Sequence, residues 1–123
     1  MLADPAMAEL FLFTLGKASE RHGFQLLAFV VMPDHVHLLG IPSVNPASDV
    51  ASVSGFLSSL KRTVSYRAKA TLTLRDPSLA ASMMVQERES KRAFRFWQPG
   101  GGYDRNLVDE KAVSASVEYI HAN

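Results

Sequence analysis

A chain of 123 residues with no cysteine, 47% hydrophobic and 20% charged, has room for one compact domain spanning 1–123 and excludes disulfide staples, thiolate metal sites and thiol nucleophiles. No apolar stretch approaches the roughly 20 residues of a membrane-crossing helix, and the opening Met1–Glu9 carries acids where a signal peptide carries a basic segment, so the expected setting is cytoplasmic, with no membrane partner. The formal net charge is only +1, yet ten basic residues against four acids lie between Lys61 and Arg105; that local excess of six is what a phosphate-binding surface needs, or else a solvated basic face.

Asp4-Pro5 predicts a helix start, with Asp4 as N-cap and Pro5 at the first helical position, where its missing N–H does no harm. Met7, Leu10, Phe11, Thr14, Leu15 and Ala18 recur at helical spacing, and Gly23 after Arg21-His22 is a C-terminal stop. His22 reads as a surface residue suited to the helix dipole and not as a ligand. The continuous apolar run Phe24 to Met32 is too short for an ordinary helix and is bounded by Gly23 and Pro33, which predicts a buried strand. Pro33-Asp34 suits the centre of a tight turn, and His35 to Ile41 returns as the second strand of a hairpin.

Pro42 to Asp49 reads as a loop. From Asp49, the residues Val50, Val53, Leu57, Leu60, Val64 and Ala68 follow spacings of three and four, an amphipathic helix to about Ala70. Lys61, Ser65 and Lys69 form an i, i+4, i+8 row away from that stripe, with Arg62 beside it, well placed to follow a phosphate backbone. Thr71 to Arg92 is mixed in polarity and is read as loop with short helical pieces. Ala93 to Gln98 is expected to be a strand, and the triple glycine Gly100–Gly102 reads as a hinge or turn, since no strand-then-helix setting for a nucleotide loop surrounds it. Val108 to Asn123 is a final helix with Asn106 or Asp109 as candidate caps and Val113, Val117 and Ile120 as its packing stripe. Tyr119 lies beside that stripe, and Asn123, four residues on, shares its face.

In an extended strand alternate side chains share a face, so His35 and His37 are expected to point together while Val36 and Leu38 point into the core. Neutral imidazole is a common ligand for divalent metals, but a His-x-His pair is more often incidental than a metal site, and further motifs must decide. Three of them agree in order: Met32-Pro33-Asp34-His35-Val36-His37-Leu38-Leu39; Phe96-Trp97-Gln98 with Gly102-Tyr103-Asp104-Arg105; and Val117-Glu118-Tyr119-Ile120-His121-Ala122-Asn123. Together they resemble the REP-associated tyrosine transposases, single-tyrosine insertion-sequence transposases of the HUH (His, hydrophobic, His) nuclease superfamily, from about Phe24 to the last residue.

The resemblance implies an α+β fold, an antiparallel sheet with helices packed on it in a ferredoxin-like or RRM-like arrangement, with the Tyr119 helix across the histidine strand. It implies metal-dependent cleavage and strand transfer of hairpin-forming single-stranded DNA: Tyr119 as nucleophile, a 5′-phosphotyrosine intermediate, and Mg²⁺ or Mn²⁺ held by His35, His37 and Asn123. Lys61, Arg62, Lys69, Arg95 and Arg105 are the expected DNA contacts, and the assembly is a monomer or homodimer. Family members begin with a strand ahead of the first helix and continue past the tyrosine helix, so this chain reads as trimmed at both ends.

Each residue has a blander alternative. Tyr119 could be a boundary tyrosine with a wet hydroxyl; Tyr103 is the rival tyrosine; the terminal carboxylate of Asn123 could ligate in place of its amide; His121 reads as surface or DNA-facing; Phe96 and Trp97 are either core or a stacking face for an unpaired base. The alternative functions are a catalytically inactive binder of DNA hairpins, descended from a transposase, and a small metal-dependent hydrolase acting on a non-nucleic substrate.

Overall fold

A computed structural model describes residues 2–42, 53–98 and 109–122. Helix α1 spans Pro5–His22, bounded as its sequence signals predict. The Asp4 carboxylate accepts the Ala6 N–H at 2.9 Å, and Gly23 closes the helix in the left-handed region (φ 69°, ψ 41°), its N–H donating to the Ser19 carbonyl. A residue other than glycine would be strained there. Strands β1, Phe24–Val31, and β2, Val36–Pro42, form the expected hairpin, closed by a bond from the Met32 N–H to the His35 carbonyl at 2.8 Å.

A bulge between Leu26 and Ala28 sets which side chains face inward. Leu26 and Val31 are five residues apart, so strict alternation would turn them to opposite faces, yet both pack on the main core; the extra residue, Leu27, restores the phase. Val36 and Leu38 of β2 join them against Phe11 and Leu15 of α1 and against Phe56, Leu60 and Val64.

Those last three belong to helix α2, Val53–Arg75, which is longer than expected at its C-terminal end. The row Leu60, Val64, Ala68, Leu72 is buried throughout at i+4 spacing, and Leu72 was the signal that the helix continues past Ala70. The predicted helix start at Asp49 lies outside the described residues. Asp76-Pro77 ends α2 and starts a short helix α3, Pro77–Ser82, whose N-cap carboxylate accepts the Leu79 N–H at 3.1 Å.

In Thr71–Arg92, expected to be loop with short helical pieces, α3 is such a piece, but Thr71–Arg75 continues α2 and a strand begins at Met84; the strand expected over Ala93–Gln98 runs instead over Lys91–Phe94. Strand β3, Met84–Arg88, pairs antiparallel with β4, Lys91–Phe94, in a second two-stranded sheet, so the three expected strands do not share one sheet. The turn Glu89-Ser90 carries no glycine or asparagine to announce a hairpin; it is tied instead by the Gln86 amide, which donates to the carbonyls of Arg88 and Glu89. Only the base of this hairpin is partly buried: Phe94, with Phe96 just beyond β4, packs against a second cluster of Met7, Ala68, Leu72 and Ala80.

Helix α4, Glu110–Ala122, is capped by Asp109, whose side chain accepts the Ala112 N–H at 2.7 Å. It lies against β1 and β2, with Ile120 buried.

Candidate functional site

The site is built on the turn end of the first hairpin. Because Val36 and Leu38 are drawn into the α1/α2 core, alternation turns His37, between them, to the opposite face. Helix α4 lies on that side, and its Tyr119 ring meets the His37 imidazole edge-on, with centroids 5.5 Å apart and planes at 88°. His35 closes the tight turn just before β2 begins, and its ring stands at 89° to that of His37, with centroids 4.9 Å apart. The Nε2 atoms of the two imidazoles converge to 3.2 Å. His37 and Tyr119, 82 positions apart in the chain, thus meet where Ile120 of α4 is buried while Tyr119, next to it, stays 58% exposed.

Asp34 completes the cluster. Its Oδ1 accepts a bond from His35 Nδ1 at 2.6 Å, and this bond holds the Asp34 carboxyl below the usual carboxylate range. In the sequence Asp34 reads only as a turn residue; its place directly before the first histidine is the signal that ties it to the pair.

Donor spacing decides whether the histidines suit a cation. Adjacent donors held at about 2.1 Å from an ion lie roughly 3.0 Å apart at a right angle and about 3.4 Å apart at a tetrahedral one, and the 3.2 Å between the Nε2 atoms falls between the two. The pair therefore fits two neighbouring positions of a coordination shell. It does not fill one: among the described residues no group of three His, Cys, Asp or Glu side chains is placed to hold an ion, and the expected third donor, Asn123, lies outside the described residues.

The expected DNA contacts divide. Arg105 lies outside the described residues, as does the rival Tyr103. Lys61, Arg62 and Lys69 are on α2, in the layer that covers the other face of the histidine hairpin, so the basic row and the tyrosine stand on opposite sides of β1–β2. Arg95 is exposed beyond β4, with its backbone N–H donated to the Met83 carbonyl.

Trp97 has a packing role. Its ring meets Phe11 edge-on at 6.1 Å and Phe96 at 4.9 Å, and its Nε1–H donates to the Lys61 carbonyl at 2.9 Å, fastening the segment after β4 onto α2. His22 meets Phe56 edge-on at the end of α1, away from the histidine pair in the turn, and His121 is exposed. Compared with family models, with curated proteins and with solved structures, the chain gives no match.

Proposed function

We propose that this chain cleaves and rejoins single-stranded DNA at hairpin-forming sequences through Tyr119, on a domain of the ferredoxin-like arrangement found in single-tyrosine transposases. The observation that carries the reading is the meeting of Tyr119 with the converging imidazoles of His35 and His37. A phenol of ordinary pKa about 10 is a poor nucleophile at neutral pH, and a neighbouring pair of metal-ligating nitrogens answers that need. A bound Mg²⁺ or Mn²⁺ supplies charge stabilisation to the phosphate oxygens and orients the phosphodiester for in-line displacement.

In the step itself the Tyr119 oxygen forms a bond to phosphorus and loses its proton to solvent. The bond from phosphorus to the 3′ oxygen breaks, that oxygen takes up a proton as a free 3′ hydroxyl, and the 5′ phosphate stays on the tyrosine. The covalent link conserves the ester for rejoining to another 3′ end. His35 and His37 would hold the ion, with Asn123 as the proposed third donor. Half-exposed His35 and exposed Tyr119 leave room for a polymer and argue against the small-substrate hydrolase, whose chemistry calls for an enclosing pocket.

The test is incubation with hairpin-forming single-stranded DNA and Mn²⁺, followed by denaturing electrophoresis. A covalent protein–DNA adduct that vanishes in Tyr119→Phe and with chelator is the expected result; an adduct that survives Tyr119→Phe, or none at all, refutes it. The separation of the α2 basic row from the tyrosine favours one rival reading, a non-catalytic binder that grips DNA through Lys61, Arg62 and Lys69. It predicts binding that weakens steeply with salt and ignores both chelator and Tyr119→Phe.

A further inference from the structure

We propose that Asp34 is the positioning residue of this site: its carboxylate fixes the His35 ring in the tautomer whose Nε2 carries a lone pair, and aims that lone pair into the space shared with His37. The inference rests on the metal-dependent reading above and extends it to a residue outside the donor set.

An ionised carboxylate only accepts hydrogen bonds, so the 2.6 Å contact between Asp34 Oδ1 and His35 Nδ1 requires the proton to sit on Nδ1. In a neutral imidazole Nε2 is then a bare lone pair. The 3.2 Å contact of that atom with His37 Nε2 is then a bond that His37 donates and His35 accepts, which fixes the direction of the His35 lone pair.

Local geometry makes Asp34 suited to the task. It occupies the turn that the Met32 N–H and His35 carbonyl close at 2.8 Å, so its backbone is held one residue from the ring it orients. The exposed carboxylate is not needed for packing, which separates its role from the stability of the hairpin. A carboxylate behind a ligating histidine raises the basicity of the ring and fixes its orientation, and removal of such a partner typically costs 10- to 100-fold in metal affinity.

Two measurements test this on the full chain. In chelator-treated protein at pH 8, ring-¹⁵N NMR is expected to show His35 protonated on Nδ1; in Asp34→Ala the signal shifts toward the Nε2-protonated form, whereas Asp34→Asn, which keeps an acceptor oxygen, retains most of the original tautomer. Mn²⁺ titration followed by paramagnetic relaxation is expected to show affinity reduced roughly 10- to 100-fold in Asp34→Ala and less in Asp34→Asn, with the hairpin amide shifts unmoved outside residues 32–37.

A wild-type His35 protonated on Nε2, an Asp34→Ala variant with unchanged tautomer and Mn²⁺ affinity, or a wild-type chain that takes up no Mn²⁺, overturns the inference. The tautomer is read without DNA or metal, so its failure is distinct from that of the nuclease reading. A tyrosine-dependent adduct formed by a protein whose His35 is Nε2-protonated removes the role of Asp34 alone.

Discussion

Ile120→Ala isolates what brings the nucleophile to the histidines. Ile120 is 6% exposed and is the buried residue of α4 among the described positions, while Val113 and Val117 are only partly covered. Trimming a buried isoleucine to alanine removes its transfer energy and leaves a void, together about 2–5 kcal/mol. Because α4 rests on β1 and β2, the loss should appear as local undocking of that helix before global unfolding.

At tenfold per 1.4 kcal/mol, α4 amides would exchange roughly thirty- to several-thousand-fold faster, while amides of α1 near Phe11 and Leu15 change far less. Hydrogen exchange followed by mass spectrometry resolves the two segments. Ile120→Val should cost only about 0.5–1.5 kcal/mol and serves as the graded control. Adduct formation should fall in Ile120→Ala although Tyr119 is intact, since the phenol then spends less time beside His37. Equal loss of protection in α1 and α4, or unchanged exchange in α4, would show that this side chain does not hold the helix on the sheet.

Phe11→Ala removes a fully buried ring that also carries Trp97; a loss of about 3–5 kcal/mol is expected, at roughly 4 °C of Tm per kcal/mol for a chain of this size, and calorimetry showing a shift of only a degree or two would contradict the core described. Asp34 is held below its ordinary value of 3.8, chiefly by the bond from His35. A carboxyl depressed in the fold stabilises above the unfolded value and loses that contribution as pH falls through the folded one, so its side-chain ¹³C shift should titrate with a midpoint below 3.8; a midpoint at or above that value would mean the bond is not made in solution.

What the sequence determined by itself was local. Asp4, Pro5 and Gly23 bound α1 through capping chemistry that acts within a few residues, the apolar run between Gly23 and Pro33 makes β1, and alternation along β2 sends Val36 and Leu38 inward and His37 outward, with His35 beside it in the turn. The row from Leu60 to Leu72 also lay in the sequence, although the threonines around Leu72 masked its continuation.

Tertiary structure decided the rest, because it depends on contacts between distant segments. A bulge at Leu27 sets the phase of β1 and is invisible to a period-two reading; β3 and β4 pair through a turn without glycine or asparagine and are steadied by Phe94 packing on Met7 and Leu72. The meeting of Tyr119 with His37 follows from which face of the hairpin α4 covers, and so does the separation of the α2 lysines from that tyrosine. Two layers on opposite sides of one hairpin bring a distant phenol to the histidines and keep a nearer basic helix away from them.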